Sequence, residues 1–193
     1  MNPQHHDDDQ PTMYDLRGAR YGEVVDTQPH NAFYERPATL SLLPPLAGLR
    51  VLDAGSGNGW YAEHMLDQGA IVTSFDGSAT MVALTRARVG QRAAVVRADL
   101  AAPLRFAADA GFDLVVAPLV MHYVKDWTAV FREFRRVLAP GGRLVFSTHH
   151  PTNDFNLHQP PSYFDIVLLE EIWGELGPVR FFRRPLTAMA DAL

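Results

Sequence analysis

Apolar positions along the chain follow two alternating rhythms. Short, nearly continuous apolar runs, "LRVLDAG", "AIVTSFD", "AAVVRAD", "FDLVVAP" and "RLVFSTHH", read as five strands. Between them the spacing turns helical. "NGWYAEHMLDQG" places Ala62, Met65 and Leu66 on one face, with Gly69 as its stop. "SATMVALTRARVG" has Ser78 as N-cap and Gly90 as terminator. In "WTAVFREFRRVL", capped by Asp126, the residues Trp127, Val130, Phe131, Phe134, Val137 and Leu138 form an apolar stripe. Arg132, Glu133, Arg135 and Arg136 read as its wetted surface, and "APGG" as the break that ends it. A short helix is expected from Glu35, with Pro37 in its first turn and Pro44-Pro45 beyond its end.

Strands alternating with helices imply an α/β fold: a doubly wound, mostly parallel sheet covered on both faces, Rossmann-like in its architecture. Beyond His150 the rhythm changes. "HPTNDFNLHQPPS" reads as loop, "YFDIVLLEEIW" and "VRFFRR" as a hairpin around "GELGP", and "PLTAMADAL" as the start of a helix. No repeat of solenoid length is present.

Composition narrows the function classes. With 193 residues, 47% of them hydrophobic, the chain suits one domain with a substantial core. A net charge of −5 argues against a nucleic-acid backbone as partner, which calls for a basic face. The absence of cysteine excludes disulfides and thiolate metal sites. "MNPQHHDDDQPT" lacks the apolar centre of a secretory signal and reads as a solvated tail, its "HHDDD" having no scaffold to orient a metal site. No run approaches the ~20 apolar residues of a membrane span. The expectation is a cytoplasmic protein with no metal, nucleic-acid or membrane partner, and a homo-oligomer is left open.

The candidate chemistry centres on Gly55-Ser56-Gly57-Asn58-Gly59, between the first strand and its helix. In a doubly wound sheet, ligands sit at the carboxyl ends of strands where the strand order reverses. A dinucleotide site has the spacing G-x-G-x-x-G and offers a helix N-terminus to pyrophosphate. Here the spacing is G-x-G-x-G, and Asp53 stands just ahead of it. A carboxylate repels pyrophosphate and attracts a ligand that carries an ammonium and a sulfonium, as S-adenosylmethionine does. Asp76, ending the second strand, is placed for ribose hydroxyls, and Asp99, ending the third, for an adenine amino group.

In order, "VLDAGSGNG", "VTSFDGS", "RADL", "FDLVVAPLVMHYV" and "FREFRRVLAPGGRLVFSTHHP" resemble the motifs of class I S-adenosylmethionine-dependent methyltransferases, over about residues 50–151. The flanking segments look like the small-molecule branch. Ser56 stands where that family often has cysteine. The resemblance implies contacts to the methionyl end from Gly55, Gly57 and the Ser56 backbone, with Asp53 orienting the loop or the amino group. It implies ribose binding at Asp76, with Gly77 beside it, and adenine contacts from Met81, Asp99 and Leu100. Pro118 would close the methionyl side, and Tyr14 and Tyr21, on a segment folding over the cofactor, would reach its carboxylate. The implied units are a tail over 1–12, a helical cap over 13–45, the cofactor-binding core over 46–151 and a substrate-side lid over 152–193.

Methyl transfer needs positioning and exclusion of water, and a base only where the acceptor has a proton to lose. His122, after the fourth strand, and His149 and His150, ending the fifth, are the candidates for acceptor-side catalysis. Tyr163, Phe164, Trp173, Phe181 and Phe182 suggest a lid over a small, partly aromatic acceptor, and Arg180, Arg183 and Arg184 read as a solvated cluster. Relatives in the family usually continue with two further strands. Ending at Leu193 would leave the fifth strand an edge for the 163–184 segment or another chain to pair, with turnover weakened and cofactor binding kept. The competing functions are a non-catalytic S-adenosylmethionine-binding protein and an NAD-dependent oxidoreductase.

Overall fold

In the computed structural model, which describes residues 12–193, the five apolar runs become β1 (Arg50–Ala54), β2 (Ile71–Asp76), β3 (Ala94–Arg97), β4 (Phe112–Ala117) and β5 (Leu138–Phe146). All pair in parallel, in the order β3-β2-β1-β4-β5. The order reverses between β1 and β4, so the crevice at their carboxyl ends is where a ligand would sit. Leu52 and Val115 point into one core layer with Phe75, Leu104, Trp127 and Phe134; Val51, Leu114 and Val116 point into the other with Met65, Val72 and Val145. Burial on both faces is why these strands read as continuous apolar runs.

The crossover helices follow their expected signals. They are α3 (Trp60–Asp67), α4 (Ala79–Val89) and α5 (Trp127–Val137); α1 (Met13–Val24) and α2 (Arg36–Ser41) precede them. Ser78 caps α4 through the Met81 amide, Asp126 caps α5 through the Ala129 amide, and Gly69 and Gly90 take positive φ after α3 and α4. A π-helical turn, His30–Glu35, leads into α2. Most of the expected tail, residues 1–11, lies outside the described residues. Thr12 belongs to α1, exchanging a capping box with Asp15.

Three local expectations are corrected. Helix α5 stops one residue early, and β5 runs from Leu138 straight through "APGG": Gly141 has φ +80°, and a Cβ on Gly142 would lie 2.8 Å from the Ala139 carbonyl oxygen. A bulge in the pairing with β4 absorbs the bend. On α5, Arg132 and Arg135 do face water. Arg136, however, bonds to Glu133, Asp109 and the carbonyls of Leu104 and Ala107, stapling the 104–109 connection to the helix. The expected loop after His150 is instead α6 (Pro151–His158), with Pro151 at its first position.

The hairpin forms as β6 (Val167–Ile172) and β7 (Pro178–Arg183), and α7 (Leu186–Asp191) follows. It stays a separate two-stranded sheet and does not pair with β5. Its β7 face packs on Met13, Leu176 and Tyr123. Arg183 and Arg184 are not solvated; both are buried. Arg183 donates to the carbonyls of Tyr163 and Asp165 and lies over the Tyr163 ring at 4.4 Å. Arg184 donates to the carbonyls of Val124 and Lys125 and lies over Trp127 at 4.2 Å; burial lowers its pKa to about 10. Arg180 alone of the three is exposed, paired with Glu170.

Phe134 is 1% exposed in the layer beneath α5. Phe134→Ala is expected to cost about 3–5 kcal/mol, read as a lower urea midpoint with an unchanged slope.

Candidate active site

The loop after β1 is shaped by what its glycines must avoid. A Cβ on Gly55 would lie 2.4 Å from Val120, and one on Gly59, at φ +82°, would lie 2.9 Å from the Thr85 Cα. The loop's amides are already employed. Gly55 and Ser56 donate to the Phe75 carbonyl at 2.9 and 3.0 Å, Gly57 to Asp76 Oδ2 at 3.0 Å, and Gly59 to the Ser56 carbonyl at 2.9 Å. Ser56 Oγ bonds to the Thr85 hydroxyl at 2.9 Å. Such a loop has few amides to spend on a pyrophosphate.

The three acids expected along one line are in three different environments. Asp76 lies at the crevice: it accepts from Gly57 N and Ser78 N, and burial raises its pKa. Gly77 follows it in the turn, and Met81, 1% exposed, packs below against α1. Asp53 is wholly buried one layer down. Its Oδ2 accepts from Ser74 Oγ at 2.9 Å and its Oδ1 is unpartnered, so it does not border the crevice as an exposed charge. Burial, with a smaller push from Asp76, raises its pKa to about 7. Asp99 is exposed beyond the end of β3 at Arg97 and caps its own turn through the Ala101 amide; Leu100 is core.

The N-terminal segment does fold over this end of the sheet. Gly18 lies so close to Met81 that a Cβ would meet its methyl group at 2.5 Å. Tyr14 and Tyr123 share a hydroxyl–hydroxyl bond of 2.6 Å, and Tyr21 meets Tyr14 edge-on at 5.1 Å. Burial raises the pKa of all three phenols, Tyr21 to about 12, and the negative charge of Asp76 adds to each. Pro118 and Leu119, after β4, complete the wall opposite Gly55 and Gly57.

Sequence reasoning missed a second set of charges here. Glu35 is buried and accepts from Tyr61 OH at 2.9 Å, Thr39 Oγ1 at 2.8 Å and Ser147 Oγ at 2.7 Å. Arg36 lies over Trp60 at 4.1 Å and pairs with Asp26 at 2.8 Å; Asp26 also accepts from Asn58 in the glycine loop and from Arg88. No spacing rule joins residues 26, 35, 36 and 58; only the folded cap does. The space left among Tyr21, Glu35, Arg36, Gly57 and Pro118 is about 70 Å³, against roughly 300–1,000 Å³ for small-molecule sites in general. A larger cavity of about 420 Å³ opens beside it, between α1 and the hairpin, at Arg20, Gln28, Trp173 and Leu176.

The histidines part company. His122 is buried in the Met121–Tyr123 turn. His149 follows the end of β5, with its ring 4.0 Å from that of His122. His150 is exposed and caps α6, its Nδ1 accepting from the Thr152 amide at 3.3 Å, so its ring has a structural use apart from the His122–His149 stack.

Residues 52–146 match the family described as "Methyltransferase domain". Malonyl-[acyl-carrier protein] O-methyltransferase of Erwinia pyrifoliae is 37% identical over 134 residues, covering 67% of this chain and 50% of that protein. A crystal structure of an S-adenosylmethionine-dependent methyltransferase from Mesorhizobium loti superposes with a TM-score of 0.66 at 27% identity, over 88% of this chain and 80% of the other. The chain belongs to the class I S-adenosylmethionine-dependent methyltransferases. Ubiquinone biosynthesis O-methyltransferase of Xanthomonas oryzae pv. oryzae is another relative, 36% identical over 55% of this chain and 46% of its own. The chain thus spans about half the length of the curated relatives it matches.

Within this methyltransferase domain, Asp53 gives a pH signature. Its folded pKa of about 7 exceeds the ordinary 3.8, so the native state holds more protons between those values. Stability therefore falls as pH rises from about 4 to 7 and levels off above, by up to about 4 kcal/mol in all. Asp53→Asn, which keeps an acceptor for Ser74, is expected to flatten that slope and raise the urea midpoint at pH 8.

Proposed function

We propose that this protein transfers a methyl group from S-adenosylmethionine to a small-molecule acceptor in the cytoplasm. The observation that carries the reading is the crevice at β1 and β4, where loop amides are already spent and carboxylates are buried alongside. That chemistry suits a cationic, phosphate-free nucleoside and disfavours a pyrophosphate, which speaks against the NAD-dependent oxidoreductase. The orphaned Asp53 Oδ1 beneath the loop carries negative charge only once Asp53 ionises, near neutrality, and a cationic ligand would favour that form. When bound, the sulfonium supplies an activated methyl carbon and a neutral thioether leaving group.

In this reading, Asp76 keeps its bonds to Gly57 and Ser78 and offers its remaining lone pairs to the ribose hydroxyls. Gly55, Ser56, Gly57 and Pro118 border the methionyl end, with the Arg36 guanidinium and the Glu35 carboxylate as charges of the right sign for its carboxylate and ammonium. Met81 and Gly77 lie on the nucleoside side. Asp99 and Leu100 have the weakest claim, since one is exposed and the other is core. Tyr14, Tyr21 and Tyr123 roof the site and exclude water, and α1 must lift, because the space now beneath it is too small. The acceptor enters by the larger cavity, whose apolar walls favour an organic metabolite over a nucleic acid. The domain division into a cap over 13–45, a core over 46–151 and a lid over 152–193 follows the same lines.

Calorimetry should register S-adenosylmethionine and S-adenosylhomocysteine and show no heat with NAD. Asp76→Ala should weaken both nucleosides by roughly 10–100-fold, the worth of hydrogen bonds to a charged group. Label from the methyl group should appear in members of a metabolite panel. Tight NAD binding without nucleoside binding would reject the reading, and nucleoside binding without any transfer would favour the non-catalytic one.

A further inference from the structure

His122 is the most unusual polar residue in the fold. It is 2% exposed, and neither ring nitrogen has a hydrogen-bond partner. Leaving such groups unpaired costs about 1–3 kcal/mol each, so the position is not one that stability selects. A donor and an acceptor buried together without partners point to a bound polar group. The His122 ring stacks on that of His149, with centroids 4.0 Å apart and planes 20° from parallel. Phe181 closes on His149 edge-on at 4.6 Å, and Trp173, which lines the larger cavity, lies 6.4 Å away. Two residues upstream, Ser147 bonds to Glu35 in the wall of the smaller space. The His149 ring thus lies behind Trp173, a wall of the larger cavity, on the strand end that also meets Glu35 through Ser147.

One carboxylate serves it. Asp154, 5% exposed on the first turn of α6, has Oδ2 at 3.8 Å from His149 Nδ1, within ion-pair distance. Glu171 on β6 is also felt at His149, but its two oxygens are held by His158 Nε2 at 2.6 Å and Trp173 Nε1 at 3.0 Å. With Nδ1 turned to Asp154, Nε2 is the nitrogen free to accept a proton.

We propose that His149 takes the proton of the acceptor, that Asp154 is its positioning residue, and that the acceptor is a hydroxyl, phenolic in preference to alcoholic. The proposal rests on the methyltransferase reading. In the step, the acceptor oxygen forms the new C–O bond as the C–S bond of the methyl donor breaks and its electron pair stays on sulfur. The hydroxyl proton passes to His149 Nε2 and then to solvent. The aromatic neighbours of His149, with Trp173 at the cavity and Phe181 and His122 packed behind it, suit a phenol ring. Burial keeps His149 below the ordinary histidine pKa, hence neutral and able to accept at pH 7, while Asp154 and Glu171 offset that and His30, from the turn before α2, opposes them. Burial holds His122 neutral more strongly still, with His149 and Arg184 adding to the effect, so it does not compete for the proton.

The test has two arms. In turnover, a panel of phenols is compared with matched carboxylates, which have no proton to lose at pH 7. The wild-type protein should methylate phenols, with an acid limb in kcat/KM below pH 6.5. His149→Gln should lose roughly 10²–10⁴-fold in kcat on phenols, the usual span for a general base. Asp154→Asn should lower kcat and move the acid limb to lower pH, since an anion that stabilises the imidazolium is gone. Calorimetric affinity for S-adenosylhomocysteine should be unchanged in both. In the second arm, imidazole NMR signals are followed against pH without turnover. The His149 midpoint should fall in Asp154→Asn, and the His149 and His122 signals should shift when a phenol is added to protein loaded with S-adenosylhomocysteine. Transfer to carboxylates alone, a phenol profile unaltered by His149→Gln, or imidazole signals indifferent to both Asp154→Asn and phenol would overturn the proposal. Failure of nucleoside binding itself would instead sink the methyltransferase reading.

Discussion

The Asp76 carboxylate holds the crevice together. It joins the end of β2 to the loop after β1, taking the Gly57 amide with one oxygen and the Ser78 amide with the other. Gly57 in turn returns its carbonyl to Thr85 on α4. Two neighbouring βα turns are thus fastened together on one side of the switch point, and the open end of the sheet acquires a defined shape before any ligand arrives. Pre-formed polar geometry of this kind is what a positioning enzyme needs, because little covalent chemistry is asked of the protein. A loop that curls around an acid in this way has also spent the donors that a phosphate would require.

Around that fixed centre the two covers are built differently. The hairpin side is anchored by buried guanidinium groups: Arg183 binds carbonyls of the 163–165 turn, and Arg184 binds those after the Met121–Tyr123 turn, each lying over an aromatic ring. Breaking such contacts strands a charge in the interior, so this side is held firmly. The α1 side rests instead on small residues and short hydrogen bonds. Gly18 and Gly22 let the helix lie against α4, the Tyr14–Tyr123 bond crosses to the turn after β4, and Asp26 gathers Arg36, Asn58 and Arg88 at a half-exposed junction. Water can replace those partners as the helix lifts, which makes α1 the cover suited to open.

The alternation of strand and helix runs was legible in the sequence because every strand of a covered parallel sheet is apolar on both sides, and because Ser78, Asp126, Gly69 and Gly90 carry cap chemistry that acts locally. The strand through "APGG" was not, since two glycines and a proline read as a break unless the partner strand supplies a bulge to absorb them. Helix α6 escaped notice because its cap is a histidine, a residue seldom used there. At the site, the glycine loop and Asp76 could be located from one motif each. Asp53 and Asp99 were misplaced by the same assumption, that an acid at a strand end must face the ligand. Strand pleat turned the first toward Ser74, and the early end of β3 left the second in solvent. Glu35, Arg36 and Asp26 come from the cap, whose path over the sheet no local pattern encodes.

Charge placement ties these observations into one economy of protons. Asp53 and Asp76 are buried near the crevice, so each is costly to ionise and gains from a cationic neighbour. Asp53 titrates near neutrality in the protein alone, and a positive ligand overhead would favour its ionised form; by linkage, the ionised form favours that ligand in return. On the far side of the same roof, the imidazoles of His122 and His149 are kept neutral by burial, and a proton arriving there is met by Asp154. On the proposed reading, the fold separates two electrostatic tasks that a displacement at a sulfonium-bound carbon would impose. In that reading, negative character near the glycine loop would favour the donor's positive charge, and His149, uncharged and flanked by Asp154, would take the acceptor's proton. A single uniformly acidic cleft would hold the donor and leave the acceptor's proton without a base near neutral pH, so the division between buried carboxylates and buried imidazoles is the feature that suits this end of the sheet to transfer as well as to binding.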